Sequence, residues 1–332
     1  LGEGAVAVAE RAGYRGAGTA EFLLARDGSW WFLEMNARLQ VEHPVTEAVT
    51  GLDLVRAQLE IAAGRPLSID QRSVAMRGHA VEARVYAEDP ANGFLPAGGR
   101  VEVLELPHWP GVRIDTALRE GDVVGLGFDP LLAKVIAWDE DRPAALARLR
   151  AALAEVRVVG VRTNLGFLLE ALAHPDVVGG VADTDWVEAV WTPRVPPLPA
   201  SVRAATGGDA RRDPWIAFGG DRAPDPERDV TVAGAWAQYR GWAYALGDDE
   251  LEPTELAPPG GSLSAPMPAN VIRVDVEAGD EVTGGQVVVV LEAMKIQMQV
   301  TAPTGGTVRA VHVRAGDVVA GGDPLVEVEE PG

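Results

Sequence analysis

The stretch that decides the fold is Val287-Val288-Val289-Val290-Leu291-Glu292-Ala293-Met294-Lys295-Ile296-Gln297-Met298-Gln299-Val300. Its first part is a run of β-branched residues, and its second part alternates apolar with polar side chains. Both patterns are typical of β-strands. The stretch therefore predicts two strands joined by a tight turn, with Lys295 at the tip of that turn.

The flanking sequence contains an internal repeat. The segment 278–285, Ala-Gly-Asp-Glu-Val-Thr-Gly-Gly, recurs 37 residues later at 315–322 as Ala-Gly-Asp-Val-Val-Ala-Gly-Gly. A repeat of this length indicates two copies of one supersecondary unit. Lys295 lies between the copies, so the repeat predicts a two-fold sandwich with this lysine on the hairpin that links its halves. A lysine on a turn is ordinarily a solvated surface residue; the repeat and the preceding Ala-Met favour a functional one.

Residues 264–329 resemble the biotinyl carrier domain of biotin-dependent carboxylases, because Glu292-Ala293-Met294-Lys295 matches the Glu-Ala-Met-Lys signature of that family. The resemblance implies an all-β barrel-sandwich domain. It also implies that a biotin protein ligase attaches biotin to Lys295, beside Met294. A tethered biotin carries a carboxyl group between active sites at high effective concentration. Lipoyl domains share the fold but have Asp-Lys-Ala at the tip, and related modules of export proteins lack the modified lysine.

The composition excludes several classes of protein. The 332 residues include 29 Lys and Arg against 49 Asp and Glu, and the net charge of −20 argues against nucleic-acid binding. No cysteine occurs, which excludes disulfides and thiolate metal sites. The sequence shows neither a membrane-spanning apolar run nor a signal peptide, so we expect a cytoplasmic protein. The chain opens at Leu1 in what reads as a helix, and we expect that an N-terminal part is missing.

A second hairpin is predicted near the N-terminus. Residues 19–24 and 29–35 are strand-like, and the Asp-Gly pair between them is a strong signal for a two-residue turn. Such a turn places Glu21 directly opposite Glu34, with Asn36 on the same face. Paired carboxylates repel each other unless a cation lies between them. Their oxygens suit Mg²⁺ or Mn²⁺ on nucleotide phosphates, although two solvated glutamates on an exposed face would give the same pattern.

Alternation of polar and apolar residues continues beyond this hairpin. It predicts that the strand runs on to Pro44 with five polar residues on one face. Those five are Glu34, Asn36, Arg38, Gln40 and Glu42. An ordinary half-buried strand would alternate in the same way. The order of acid, amide, cation, amide and acid favours a site, since it combines metal ligands, an anion binder and a base.

Residues 34–47 resemble the signature of biotin carboxylases, which are ATP-grasp enzymes, and the resemblance extends from residue 1 to about 190. It implies that Glu21, Glu34 and Asn36 hold the divalent metal ions on ATP. The sequence contains no glycine-rich phosphate loop and few lysines. This chain alone therefore lacks half of the nucleotide site, and we expect that it does not catalyse carboxylation by itself.

The same resemblance assigns roles to the residues that follow. Arg38, Gln40 and the backbone at Val41 are implied to bind bicarbonate, and Arg38 also steadies the reacting biotin. Glu42 is implied to be the general base that deprotonates bicarbonate, which requires hydrogen-bond reach of the proton.

One more arginine lies further along the chain. Residues 77–90 begin as an alternating strand with Glu82, Arg84 and Tyr86 on one face. A salt bridge between Arg84 and Glu82 on a solvated sheet is the simple interpretation. The resemblance implies instead that Arg84 stabilises the negative charge that develops on biotin. Stabilising charge where it develops is usually the largest catalytic contribution, and a guanidinium suits a planar anion.

The chain is thus predicted to be α+β, with four regions. They are the C-terminal part of an ATP-grasp domain (1–75), the biotin carboxylase C-terminal domain (76–192), a linker with a reduced β-rich middle region (193–263) and the biotinyl carrier domain (264–332). In the middle region, 230–246 predicts an aromatic hairpin that packs on a neighbouring surface. The resemblance implies that this region binds a carboxyltransferase subunit.

The predicted function is that of the biotin-carrying subunit of an acyl-CoA carboxylase of the acetyl-, propionyl- or methylcrotonyl-CoA type. ATP and bicarbonate carboxylate biotin on Lys295, and a carboxyltransferase beta subunit passes the carboxyl group to an acyl-CoA. We expect a homo-oligomer through the biotin carboxylase part. Two alternatives stay open: a biotinyl or lipoyl-like carrier module without carboxylase activity, and part of a pyruvate- or urea-type carboxylase.

The chain has only two lysines, Lys134 and Lys295, which makes its modification easy to test. Protein purified from cells with active biotin ligase should carry one biotin, on Lys295. Mass spectrometry should show that Lys134→Arg keeps the adduct and Lys295→Arg loses it. A wild-type chain without any avidin signal would contradict the carrier assignment.

Overall fold

The computed structural model describes residues 1–126, 128–198, 230–246, 262–265, 269–293, 296–320 and 322–329. The N-terminal and central regions mix helices with strands, whereas residues 262–329 contain strands, so the chain is α+β as predicted. Among the described residues, no helix is long and apolar enough to cross a membrane.

The N-terminal region is a two-stranded hairpin flanked by helices. Its elements are α1 (Gly2–Ala12), β1 (Thr19–Leu24), β2 (Trp30–Asn36), α2 (His43–Thr50) and α3 (Leu54–Ala62). Helix α3 begins after Asp53, whose carboxylate accepts a hydrogen bond from the Arg56 amide at 2.8 Å. Such an N-cap satisfies a backbone donor that the helix leaves free.

The hairpin has a different turn from the predicted one. Ala25 N donates to Ser29 O at 2.8 Å, which leaves a three-residue loop instead of two residues. Asp27 stabilises the longer loop, since its carboxylate accepts from the amide and the hydroxyl of Ser29 at 2.9 and 2.5 Å. A register shift after Glu21 compensates for the extra loop residue, so Glu21 still pairs with Glu34 as predicted.

The predicted continuation of this strand to Glu42 is wrong. The strand ends at Asn36, residues 37–42 are irregular, and α2 begins at His43 with Pro44 in its first turn. Proline is favoured there because the first amides of a helix have no intrahelical partner. Pro44 therefore marks the start of a helix and not the end of a strand.

The central region is built on an antiparallel sheet in the order β3-β10-β8. The strands of the region are β3 (His79–Tyr86), β4 (Glu88–Asp89), β5 (Leu95–Pro96), β6 (Gly99–Arg100), β7 (Val103–Glu105), β8 (Val112–Thr116), β9 (Val123–Val124), β10 (Leu131–Asp139) and β11 (Arg157–Val159). Its helices are α4 (Arg142–Glu155), α5 (Leu165–Ala171), α6 (Pro175–Gly179) and α7 (Trp186–Ala189), and two 3₁₀ turns lie at Gln71–Ser73 and Pro90–Asn92.

The core of this region lies between the sheet and α4. Leu149 and Leu153, one helical turn apart on α4, pack with Val85 of β3 and Val135 of β10, and all four are almost fully buried. One face of the sheet is thus occupied by α4. Along β3, the alternation of apolar and charged residues places Glu82 and Arg84 on the opposite side from Val85.

The aromatic segment forms three antiparallel strands and not a single hairpin. They are β12 (Val230–Ala233), β13 (Trp236–Tyr239) and β14 (Trp242–Ala245). The buried amide of Gln238 accepts from Val158 N at 2.8 Å and donates to Val156 O at 2.9 Å. This small sheet therefore packs on the central region of its own chain, as the prediction of a neighbouring surface requires.

Residues 262–329 form two four-stranded sheets in the orders β15-β22-β20-β17 and β19-β18-β16-β21. The strands are β15 (Ser262–Ser264), β16 (Ala269–Val274), β17 (Glu281–Val282), β18 (Val287–Ala293), β19 (Ile296–Thr301), β20 (Gly306–Val311), β21 (Val318–Val319) and β22 (Pro324–Glu329). The starts of β16, β17 and β18 recur 37 residues later as those of β20, β21 and β22. The repeat is thus the two-fold sandwich that the sequence predicts.

Equivalent glycines close equivalent turns in the two copies. Gly279 and Gly316 have φ values of 100° and 92°, and Gly285 and Gly322 have values of 82° and 90°. These left-handed conformations are accessible to glycine at little cost. The buried core between the sheets includes Val288, Leu291 and Leu325, which are fully inaccessible to solvent.

The two copies differ at one position that allows a test. A Cβ on Gly306 would lie 2.2 Å from the carbonyl oxygen of Glu329, whereas its counterpart Ala269 already has a Cβ. We expect Gly306→Ala to lower the free energy of unfolding by about 1–3 kcal/mol through overpacking. Ala269→Gly should cost only about 0.5–1 kcal/mol through added backbone freedom. Denaturant unfolding of both variants measures the difference, and equal losses would contradict the expected clash.

Candidate active site

A compact polar cluster lies on the N-terminal hairpin. Glu21 of β1 and Glu34 of β2 are direct cross-strand partners. The side-chain amide of Asn36 donates to Glu21 Oε1 at 2.7 Å and to Glu34 Oε1 at 3.3 Å. The structure thus brings together all three residues that the sequence selects as metal ligands, and the amide bridges the two carboxylates.

The chemistry of this cluster fits Mg²⁺ or Mn²⁺. The two carboxylates supply hard oxygen ligands, and rotation of the Asn36 amide by half a turn presents its oxygen in place of its nitrogen. In the part of the chain that the structure describes, no group of three Asp, Glu, His or Cys side chains is positioned to hold a metal ion. A cation here would therefore take further ligands from water or from the phosphates of a nucleotide.

Residues 38–42 form a loop between this cluster and helix α2. Because the strand ends before them, Arg38, Gln40 and Glu42 do not lie on one strand face as predicted. Arg38 is exposed, and within the described residues its guanidinium donates to the Leu39 carbonyl at 3.3 Å. Gln40 and Val41 are half-buried, and Glu42 is the exposed residue that precedes α2. Arg38 and Glu42, the charged residues of this loop, are thus both exposed and do not lie in a row along a strand.

Arg84 connects this loop to the central sheet. Its Nη2 lies 2.7 Å from Glu42 Oε2, and its Nε lies 3.2 Å from Glu82 Oε1. Burial disfavours the cation, but hydrogen bonds to Tyr86 and Glu82 outweigh burial and raise the pKa of Arg84. The simple interpretation, a salt bridge to Glu82, is therefore present, and the guanidinium additionally holds the predicted base Glu42.

Glu82 is the least compensated charge of this group. Its side chain is 6% exposed, and its Oε2 is buried without a hydrogen-bond partner among the described residues. Burial raises the pKa of Glu82, while Arg84 and Lys134 oppose this effect. A buried carboxylate of this kind favours fixed cations beside it, because an unpaired buried charge is costly.

Lys134 and Asp115 extend the charged group across the sheet. On β10, Lys134 is the register partner of both Arg84 and Asp115. Its ammonium donates to the Val41 carbonyl at 2.9 Å and lies 3.2 Å from Asp115 Oδ2. Burial opposes ionisation of Asp115, but hydrogen bonds from Arg113 and Lys134 hold the pKa of Asp115 below its usual range.

A third contact from the sheet reaches helix α2. Arg113 of β8 forms a bidentate pair with Asp115 at 2.8 and 2.9 Å and donates to Glu47 Oε2 at 2.6 Å. Glu47 in turn accepts from the amide of Leu54 at 2.7 Å. Three neighbouring strands therefore hold the loop and helix α2 by one charged side chain each.

The other predicted site residues, Lys295 and Met294, lie outside the described residues. The strands that flank them are described: β18 and β19 pair antiparallel up to Ala293 and Ile296. Sequence reasoning did not assign Glu82, Lys134 or Asp115 to the site. Their signal is weak, because an acid two residues before Arg84 and an isolated lysine become informative only when the strand register is known.

Three protein families match successive parts of the chain. They are the carbamoyl-phosphate synthase L chain ATP-binding domain (residues 1–70), the biotin carboxylase C-terminal domain (82–189) and the biotin-requiring enzyme family (261–328). The first two families cover the polar hairpin and the charged sheet, and the third covers the two-fold sandwich.

Individual relatives agree with this order. The chain is 37% identical over 312 residues to the biotin-dependent acyl-coenzyme A carboxylase alpha3 subunit of Mycobacterium leprae, covering 90% of this chain and 52% of that protein. It is 46% identical over 188 residues to the mitochondrial methylcrotonoyl-CoA carboxylase subunit alpha of Mus musculus, covering 56% and 26%. The chain spans between 26% and 52% of the curated relatives that it matches.

A solved structure supports the fold of the N-terminal and central regions. The biotin carboxylase domain of a thermophilic 2-oxoglutarate carboxylase, bound to bicarbonate, is 38% identical, with a TM-score of 0.54. The match covers 55% of this chain and 42% of that one.

The buried carboxylate of Glu82 gives the protein a measurable pH dependence. Its pKa lies above 4.5 in the folded state because of burial, so the folded state binds this proton more tightly than the unfolded state. The stability from Glu82 is present below pH 4.5 and is lost as pH rises through the raised pKa. The melting temperature of Glu82→Gln should therefore fall less between pH 4.5 and about 8 than that of the wild type. The exposed Glu188→Gln should follow the wild type, and parallel curves for all three proteins would contradict the prediction.

Proposed function

The chain belongs to the biotin-dependent carboxylases, and from this membership we propose that it carries the C-terminal half of a biotin carboxylase site together with the carrier that the site loads. The observation that carries the proposal is the contact between Glu42 and Arg84 at 2.7 Å. It places a carboxylate that can accept a proton beside a cation that can hold an anion, at the junction of the loop and the sheet.

Bicarbonate is the substrate that this pair fits best. Glu42 is 51% exposed, so its carboxylate is accessible to a proton on a bound anion. Arg38 has an exposed guanidinium with only one backbone contact, which leaves donors for the anion. A similar biotin carboxylase domain has been solved with bicarbonate bound. We assign Glu42 as the general base and Arg38, Gln40 and the Val41 backbone as the bicarbonate ligands.

ATP is the second substrate of the proposed reaction. Residues 1–70 match an ATP-binding domain family, and Glu21, Glu34 and Asn36 lie within this segment. We assign these three residues to a Mg²⁺ or Mn²⁺ ion, which they would hold by their side-chain oxygens beside the nucleotide. The ion neutralises phosphate charge, while the protein fixes the position of the phosphates. The chain spans 52% of the length of its Mycobacterium leprae relative, so we propose the whole reaction only for a protein that also supplies the rest of the nucleotide site.

Biotin is the cofactor that links the site to the carrier. When attached to Lys295, it supplies a ring nitrogen that accepts a carboxyl group and gives it up again. Overall, ATP would be cleaved to ADP and phosphate, and bicarbonate would give its proton to Glu42 and one oxygen to the phosphate. The carbon of bicarbonate would bond to the ring nitrogen, whose N–H proton would pass to the released phosphate, and Glu42 would return its own proton to solvent. Arg84 holds negative charge next to the base during this step, because its guanidinium already lies in contact with Glu42.

The partners follow from the same proposal. Similar proteins are named alpha subunits of acyl-CoA carboxylases, which supports a carboxyltransferase beta subunit that passes the carboxyl group to an acyl-CoA. We further propose a biotin protein ligase as the modifying enzyme, a homo-oligomer through the biotin carboxylase part and a cytoplasmic location. The four domains keep the boundaries 1–75, 76–192, 193–263 and 264–332.

The proposal is tested with the full-length gene product that contains this chain, by biotin- and bicarbonate-dependent ATP cleavage. Glu42→Gln removes the base and should lower kcat by about 10²–10⁴-fold. Arg84→Met should also lower kcat, because it removes the cation beside the base. Arg56→Met is the control, since Arg56 lies on the exposed face of α3 and pairs only with Glu60.

Biotin loading on Lys295 should be the same in these three variants and the wild type, because the substitutions lie outside the carrier sandwich. Full ATP cleavage by Glu42→Gln would remove the assignment of the base. A wild-type enzyme that carries biotin but shows no biotin-dependent ATP cleavage would support a carrier module without carboxylase activity.

A further inference from the structure

We propose that Lys134 is a positioning residue of the bicarbonate site, and that its ammonium fixes the Val41–Glu42 peptide against the central sheet. This inference rests on the proposed function, because it concerns the same loop. Lys134 contacts neither Glu42 nor Arg84 by a hydrogen bond in the described structure. It acts on the site through the backbone of Val41.

The position of Lys134 is well determined by its surroundings. Its side chain is 11% exposed and lies on the middle strand of the sheet β3-β10-β8. Asp115, on the neighbouring strand, holds the ammonium from one side at 3.2 Å, and the Val41 carbonyl accepts from it at 2.9 Å. An ammonium held by two partners in this way has little rotational freedom left to lose when substrate binds.

The contact reaches a segment that has little other support. Residues 37–42 belong to neither a helix nor a strand. The Val41 carbonyl and the Glu42 amide belong to one planar peptide unit, so a donor on the carbonyl also fixes the direction of the N–H on the opposite side. The carbonyl bond therefore holds the peptide from which the base Glu42 extends, and the Val41 N–H that we assign to bicarbonate lies on the other side of the same Cα atom.

Lys134 and Arg84 together hold the loop at two adjacent points. They are direct register partners on β10 and β3. Arg84 contacts the Glu42 side chain, and Lys134 contacts the peptide immediately before it. Arg84 fixes the Glu42 carboxylate, and Lys134 fixes the backbone from which that side chain extends. Both parts of the loop are therefore held by the same pair of strands.

The charge of Lys134 matters as well as its hydrogen bond. It is one of the two cations that favour the ionised form of the buried Glu82. Glu82 in turn holds Arg84 through Nε. A neutral residue at position 134 would weaken this support for Arg84 as well as releasing the Val41 carbonyl.

Arg113 provides a matched control on the same sheet. Like Lys134, it is held by Asp115 and donates to the loop–helix segment, but its target is the Glu47 side chain on α2. Removal of Arg113 should destabilise the docking of α2 without releasing the Val41 peptide. The two variants therefore separate a role in the fold from a role in the site.

The experiment uses the full-length gene product with biotin loaded, and it measures KM for bicarbonate, KM for ATP, kcat and melting temperature. Lys134→Met should raise KM for bicarbonate by about tenfold or more, which is the loss expected for a hydrogen bond from a charged donor. KM for ATP should change less than about twofold, because Lys134 does not touch the metal cluster. Lys134→Arg, which keeps a charged donor, should recover most of the bicarbonate affinity.

Arg113→Met should lower the melting temperature by at least as much as Lys134→Met and leave KM for bicarbonate near the wild-type value. If Lys134→Met does not fold, Lys134→Gln takes its place, since its side chain is polar but uncharged and one atom shorter than that of lysine. Wild-type KM for bicarbonate in the folded neutral variant would overturn the inference, as would an equal rise in Arg113→Met. A wild-type enzyme without biotin-dependent ATP cleavage would instead remove the proposed function, and the positioning role with it.

Discussion

The geometry of the candidate site depends on one row of charged side chains across the central sheet. Arg84, Lys134 and Asp115 are register neighbours on three adjacent strands, and Glu82 pairs with Arg84. Each cation has a carboxylate beside it, which offsets the cost of removing the charges from water. Helix α4 packs against the opposite side of the sheet and supports the strands that carry this row.

The sheet gives the irregular loop a defined position. Residues 37–42 belong to no strand and make no β-ladder hydrogen bonds. The Glu42 side chain and the Val41 carbonyl, immediately before α2, are nevertheless held by side chains of the sheet. Sites supported by regular elements keep their groups in place more precisely than unsupported loops do. The metal cluster follows a different logic, because its three residues lie on one hairpin and need only the local strand register. The site thus combines one locally organised group with one that depends on long-range packing.

The sequence predicted the locally organised parts and failed where distant segments meet. The pairing of Glu21 with Glu34 was confirmed although the predicted turn was wrong, since a register shift compensated for the third loop residue. The prediction of a strand beyond Asn36 was wrong, because a proline is compatible both with the end of a strand and with the first turn of a helix. Pro44 lies in the first turn of α2. The contacts of Lys134 with Val41 and Asp115 have no signal in local periodicity, because they join residues that are far apart in sequence.

The two-fold sandwich has a consequence for how this chain is organised along its gene. The first strand of the sandwich pairs with its last strand, so Ser262 and Glu327 are neighbours although they lie near opposite ends of the module's sequence. A module whose two ends are adjacent can be inserted, excised or circularly permuted without rearrangement of its interior strands. The sandwich therefore has the architecture of an exchangeable cassette, which recombination can join to different partners while the interior contacts stay unchanged.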